Sequence, residues 1–125
     1  MVSTRKSPLW VPERGEIIFI QYSPHVGIEI PNDHPMLVFS TKAFAERTGL
    51  VAGFPMTHSE FHADNPFALV ATGAKGEVGY VLTHLPKSFD WKQRNARQHA
   101  WGTGHTKLLA SALQRFNTVF SVSDN

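Results

Sequence analysis

Between Glu16 and Trp101 the apolar residues of this chain come in short runs rich in β-branched and aromatic side chains, each cut off by glycine, proline, asparagine or aspartate. None of these runs is long enough for a typical helix, so they read as strands. Residues 16–22, Glu-Ile-Ile-Phe-Ile-Gln-Tyr, form the first, with a strongly buried middle. Residues 36–40 form the second, and residues 50–57 a third, weakened by Gly53 and Pro55. Residues 67–71 and 78–84 give a fourth and a fifth, joined through Gly73 and Gly76, and residues 94–101 alternate enough for a sixth. Residues 41–47 read as a short helical turn closed by Gly49, and residues 86–91 as a tight turn. From Thr103 the period changes: Leu109, Ala112, Leu113, Phe116, Val119 and Phe120 fall on one helical face, with Thr103 or Thr106 as candidate N-caps. Five or six short strands followed by one amphipathic helix predict a mainly β fold, a small curled sheet or barrel with the helix packed across it.

At 125 residues the chain is one ordinary domain. Residues 1–12 read as a flexible N-terminal arm and residues 13–121 as the domain. Cysteine is absent, which excludes a disulfide framework and a thiolate zinc site and fits a reducing compartment. The first residues carry charge with no apolar stretch behind them, unlike a secretory signal, and no run approaches the roughly 18 apolar residues of a membrane helix. A cytoplasmic protein is expected. The formal net charge is only +2, so the distribution of charge matters more than its sum.

Two loops stand out. Residues 23–35 contain Pro24, Gly27, Pro31, Asn32, Asp33 and Pro35, and a loop of that length inside a small domain is usually functional. Residues 59–66 form a second, polar loop. His58 and His62 stand four apart, but they lack the HExxH order and a third ligand, so no zinc site is expected. His84 reads as a partly buried strand histidine. Lys87, Lys92, Arg94 and Arg97 form the densest basic cluster, with Phe89, Trp91 and His99 interleaved. Cations that track phosphate beside rings that stack on bases suit single-stranded nucleic acid. The competing reading makes Trp91 a core anchor and the charges a solvated face.

Several segments taken together resemble the MazF/PemK toxin family. They are Pro12-Glu-Arg-Gly-Glu-Ile-Ile, Ser23-Pro-His-Val-Gly-Ile-Glu29, His34-Pro-Met-Leu-Val-Phe-Ser40, Arg47-Thr-Gly-Leu50, Phe54-Pro-Met-Thr57, Gly79-Tyr-Val-Leu82 and Lys87-Ser-Phe-Asp-Trp-Lys-Gln-Arg94. The match runs from about residue 12 to about residue 120. The resemblance implies an SH3-like small barrel, usually a homodimer. It implies a metal-independent endoribonuclease that cuts single-stranded RNA and is neutralised by an antitoxin, with no cofactor. An arginine before the proline that opens the second strand, and a threonine ending a Pro-x-Thr segment, are the family's catalytic positions. Here they correspond to His34 and Thr57. The family also carries a glutamate at Glu29.

Metal-independent RNA cleavage uses the ribose 2′-OH as an internal nucleophile. Something must take its proton, something must protonate the leaving 5′-oxygen, and charge on the phosphorane must be stabilised. Arginine serves the last need and is a poor proton donor, because it stays charged. Histidine can serve either need because it titrates near neutrality. His34 therefore exchanges a charge clamp for a proton carrier, and activity is expected to depend on pH more than an arginine enzyme's would. Thr57 is placed to hydrogen-bond a phosphate oxygen or orient the 2′-OH; otherwise it is a residue of high β-propensity ending a strand. Glu29 would accept a proton or order the loop. Asp33 would orient the His34 imidazole only in a bent loop, since neighbours in an extended segment point to opposite faces. The candidate RNA-binding set is Asp33, His58, Lys87, Ser88, Trp91, Arg94 and Arg97. Two alternatives stand beside the nuclease: a catalytically weakened RNA-binding member of the family, because His34 replaces the arginine, and a protein-binding toxin of the gyrase-poisoning kind.

Overall fold

The computed structural model describes residues 10–22 and 33–120. Strand β1 spans Ile17–Gln21, β2 Asp33–Val38, β3 Leu50–Thr57, β4 Ala68–Thr72, β5 Val78–Leu82, β6 Lys87–Asp90 and β7 Arg97–Gln98. Helix α1 covers Lys42–Thr48 and α2 covers Thr106–Phe120. The strands form one antiparallel sheet of seven strands in the order β4-β5-β3-β2-β1-β7, with β6 also paired to β3. The sheet is open rather than closed. The expected barrel of five or six strands is corrected to that extent, while the β-rich fold with a C-terminal helix stands.

Strand β3 is the hub. One edge pairs with β2, and the other pairs first with β6 (Leu50 to Gly53) and then with β5 (Met56 and Thr57). The change of partner falls across Gly53-Phe-Pro55, the residues that weaken the strand in the sequence. Gly53 is required there: a Cβ would lie 2.5 Å from the Leu37 carbonyl oxygen and 2.6 Å from the Met36 side chain. Strand β1 is buried on both faces, which is why its sequence runs apolar instead of alternating. Ile17 joins Leu37, Phe54, Met56 and Val81 beneath Leu109 and Ala112 of α2. Ile18 and Ile20 join Met36, Val38, Val51 and Trp91 on the other side of the sheet, against Ala45 of α1.

Helix α1 closes at Gly49 as its sequence promises, and Thr41, expected inside the turn, is its N-cap. Thr41 Oγ1 accepts the Phe44 N–H at 3.1 Å, and Gly49, at φ 76°, closes the helix in the left-handed region and donates to Ala45 O.

Other boundaries differ from expectation. Strand β2 begins at Asp33, so Asp33, His34 and Pro35 belong to a strand. They pair with Gln21, Ile20 and Phe19. The expected tight turn at residues 86–91 contains β6, held against β3 as a short edge ladder. The sixth strand shrinks to Arg97 and Gln98 because residues 91–95 form a turn, with Asn95 at φ 56°. Helix α2 starts at Thr106, and its first acceptor is the carbonyl of His105, so neither threonine is the cap. Residues 10–12, assigned to an arm, are packed: Trp10 meets Trp91 edge-on at 5.9 Å and donates to Glu16 Oε2, while Pro12 is fully buried. The remainder of the expected arm, residues 1–9, lies outside the described residues.

Candidate functional site

The β2–β3 ladder pairs Val38 with Gly53, Leu37 with Phe54 and Met36 with Pro55. The ladder ends there; carried two residues further, the same register would bring His34 level with Thr57. By the pleat, His34 shares a face with Met36 and Val38, and Thr57 shares that face with Val51. The apolar core of this face thus gives way, at the end nearest residues 23–32, to an imidazole and a hydroxyl on adjacent strands.

Tyr22 stands beside His34. Its hydroxyl donates to Pro35 O at 2.8 Å, and the backbone of Met56 reaches the same phenol. Its ring meets the His34 ring edge-on, centroids 5.5 Å apart, and the Phe89 ring at 5.3 Å. Burial pushes the phenol well above its ordinary value, the Met56 backbone opposing only in part, so Tyr22 remains a neutral donor across the working range of pH.

His34 is exposed. Thr57 Oγ1 accepts the Ser59 N–H at 3.1 Å, which leaves its proton to donate to a phosphate oxygen. Asp33 points to the opposite face, where its carboxylate pairs with Arg97 at 2.8 Å. The expectation that Asp33 orients His34 is therefore corrected, because the strand geometry turns the two side chains apart. Glu29 lies outside the described residues.

The expected RNA-contacting set divides. Lys87 and Ser88 are exposed at the start of β6, opposite Gly53 and Ala52. His58 is exposed too, its Nδ1 2.8 Å from Val78 O, which fixes the proton on that nitrogen when the ring is neutral. Trp91 is a core anchor and not a stacking surface: it is 8% exposed, its Nε1 donates to Ala45 O, and Trp10 covers an edge. Arg94 is turned inward. Its Nη1 donates to Tyr22 O at 2.8 Å, and its guanidinium lies 4.6 Å from the centre of the Phe89 ring. Arg97 pairs with Asp33 and lies over Phe19.

His62 meets Phe61 and Asn65 of its own turn, with Nδ1 3.4 Å from Asn65 Nδ2, and among the described residues no three His, Cys, Asp or Glu gather as a metal would need. His84 sits in the turn after β5 against Phe67, and its Nδ1 is buried without a hydrogen-bond partner among the described residues.

Two features escaped the sequence reading. One is Tyr22, whose only signal was its position at the mouth of the first loop, on the same strand face as Ile18 and Ile20. The other is a second group of imidazoles. His99 packs on Phe19 at 4.4 Å and on Trp101 at 5.7 Å, its Nδ1 accepts the Trp101 N–H, and His58 also contacts Trp101. Burial first, and then the neighbouring charges of His58 and His105, lower the His99 pKa.

Residues 13–120 match the family model described as PemK-like, MazF-like toxin of type II toxin–antitoxin system. The chain is 29% identical over 87 residues to the endoribonuclease toxin MazF of Escherichia coli K12, covering 70% of this chain and 76% of that protein. It superposes on the crystal structure of MazF from Deinococcus radiodurans with a TM-score of 0.76 at 26% identity, covering 90% of this chain and 99% of the other. On a MazE–MazF structure from the same organism the TM-score is 0.80 at 27% identity, covering 91% and 99%. The sheet paired about β3, the packed α2 and a sequence match over nearly the whole domain agree, and the chain belongs to the PemK-like, MazF-like toxin family of type II toxin–antitoxin systems.

Proposed function

We propose that this toxin is a metal-independent endoribonuclease of single-stranded RNA, acting in the cytoplasm through His34 and Thr57. The observation that carries the reading is the β2–β3 ladder, whose register, continued two residues past its last pair of Met36 and Pro55, would align His34 with Thr57 on one sheet face. Relatives named as endoribonucleases support the reaction class. In the proposed reaction His34 takes the 2′-OH proton, O2′ attacks phosphorus, the bond to the 5′-oxygen breaks, and that oxygen takes a proton from solvent water, the imidazolium returning its own proton to solvent. The products are a 2′,3′-cyclic phosphate and a 5′-hydroxyl. Thr57 donates to a non-bridging oxygen as charge builds there. Acid–base help of this kind contributes about 10²–10⁴-fold. Lys87, Ser88 and His58 remain as contacts for the flanking RNA. A homodimer and an antitoxin partner belong to the same reading; relatives in MazE–MazF complexes support the antitoxin.

The test is to incubate the purified chain with mixed-sequence RNA in the presence of EDTA. Discrete fragments with 2′,3′-cyclic phosphate ends, lost in His34→Ala and Thr57→Val, are expected. Binding that leaves the RNA intact would instead favour the catalytically weakened member, for which the histidine at the arginine position speaks. Capture of DNA gyrase with RNA untouched would overturn both.

A further inference from the structure

We propose that Tyr22, locked by Arg94, is a positioning residue that sets the spacing between His34 and Thr57; this rests on the nuclease reading above. The β2–β3 ladder stops after Met36 and Pro55, and the Tyr22 hydroxyl enters where the next rung would lie. It donates to the carbonyl of Pro35, the neighbour of His34, and the backbone of Met56, the neighbour of Thr57, bears on the same oxygen. The ring also touches the imidazole itself. One side chain therefore contacts His34 and the flanking backbone of both candidate residues. Because it stays neutral, its donation to Pro35 does not vary with pH.

Tyr22 is held from behind. Its carbonyl accepts from Arg94 Nη1 at 2.8 Å, the Gln21 N–H donates to Arg94 O at 3.0 Å, and Phe89 lies against both the guanidinium and the phenol. The same short segment carries Arg97, whose ion pair holds Asp33 at the other root of residues 23–32. Residues 94 and 97, expected to track phosphate, thus tie down the two strand ends that flank the first loop. A displacement of about 1 Å at a reacting group can cost on the order of 100-fold in rate, so this tie belongs to the chemistry.

The experiment compares Tyr22→Phe, Arg94→Gln and Arg94→Lys with the wild type. Binding is measured on a 2′-O-methyl oligonucleotide, which lacks the nucleophile, across a range of salt. Cleavage is measured in single turnover on the unmodified RNA, and folding by thermal melting. Tyr22→Phe is expected to lower the single-turnover rate about 10- to 100-fold at unchanged affinity, with Arg94→Lys recovering part of what Arg94→Gln loses. The slope of log affinity against log salt is expected to stay at the wild-type value, since a lost phosphate contact would reduce it by about one. A wild-type rate in Tyr22→Phe, or a reduced slope in Arg94→Gln, would overturn the proposal. Loss of melting temperature in parallel with every other loss would reduce it to ordinary stability and also overturn it. A further arm separates the two claims: Tyr22→Phe should shift the ring resonances of His34 and the methyl resonance of Thr57 in NMR spectra while leaving Leu109 in place. If the wild type fails to cleave, the nuclease reading falls and those shifts alone decide the positioning claim.

Discussion

Under α2 the sheet carries an apolar cluster, Ile17, Leu37, Phe54, Met56 and Val81 meeting Leu109 and Ala112. The opposite face begins in the same way, with Ile18, Met36, Val38, Val51 and Trp91, yet it runs out into Tyr22, His34 and Thr57. The first of these clusters is held by burial and so depends on volume. The second is held at its far end by single hydrogen bonds and ring edges, each contributing about 0.5–1.5 kcal/mol. Such contacts matter less for whether the chain folds than for where two side chains stand. Damage to the first face should appear in stability, and damage to the second in chemistry.

The largest effect on stability should come from Phe54→Ala. Its ring is fully buried against Phe39 and Phe116, and truncation there should cost about 3–5 kcal/mol. Denaturant unfolding checks this, and the folded fraction should keep its turnover. His34→Ala should do the reverse. The residue is exposed and its truncation loses one ring edge against Tyr22, so stability should fall by no more than about 1.5 kcal/mol, while cleavage falls about 10²–10⁴-fold. If both variants moved both quantities together, the contrast between the faces would be wrong.

A smaller effect is expected with pH. The His99 pKa is lowered by burial and by His58 and His105, and its Nδ1 must be unprotonated to accept the Trp101 N–H. Its contribution to stability is present above its ordinary value of 6.5 and is lost as pH falls through the lower value it holds in the folded chain. Glu16 has the opposite sign. Burial raises its pKa above 4.5, against the N–H groups of Glu13 and Trp10, so its contribution is full below 4.5 and is lost as pH rises through the raised folded value. Melting temperature should therefore decline on acidification below 6.5 in the wild type and decline less in His99→Gln. An identical profile in the two proteins would remove His99 from the account. The smallest effect should come from Asp33→Asn. The ion pair with Arg97 is more than a third exposed on both sides, and such pairs contribute at most about 1 kcal/mol.

The apolar half of the molecule was legible because burial follows period. The helical face of α2, the full extent of β3 and the closing Gly49 of α1 could all be read from local pattern. Asp33-His-Pro35 was read as loop because its residues are breakers in isolation, yet pairing with β1 supplied the partners that make it strand. The short β6 was hidden in the same way, behind Pro86 and Asp90. Lys87 and Arg94 look alike in sequence, and only the fold distinguishes the exposed lysine from the arginine that donates to Tyr22 O. Trp91 carried both meanings, and the carbonyl of Ala45, far away in sequence, decided for the core.

A double-mutant cycle on His34 and Thr57, read as single-turnover cleavage, tests most directly whether the two residues serve one phosphodiester. Groups acting on a common transition state are coupled, so His34→Ala combined with Thr57→Val should cleave little more slowly than the worse of the two single variants. Penalties that multiply without interaction, or a single variant that cleaves at the wild-type rate, would contradict it.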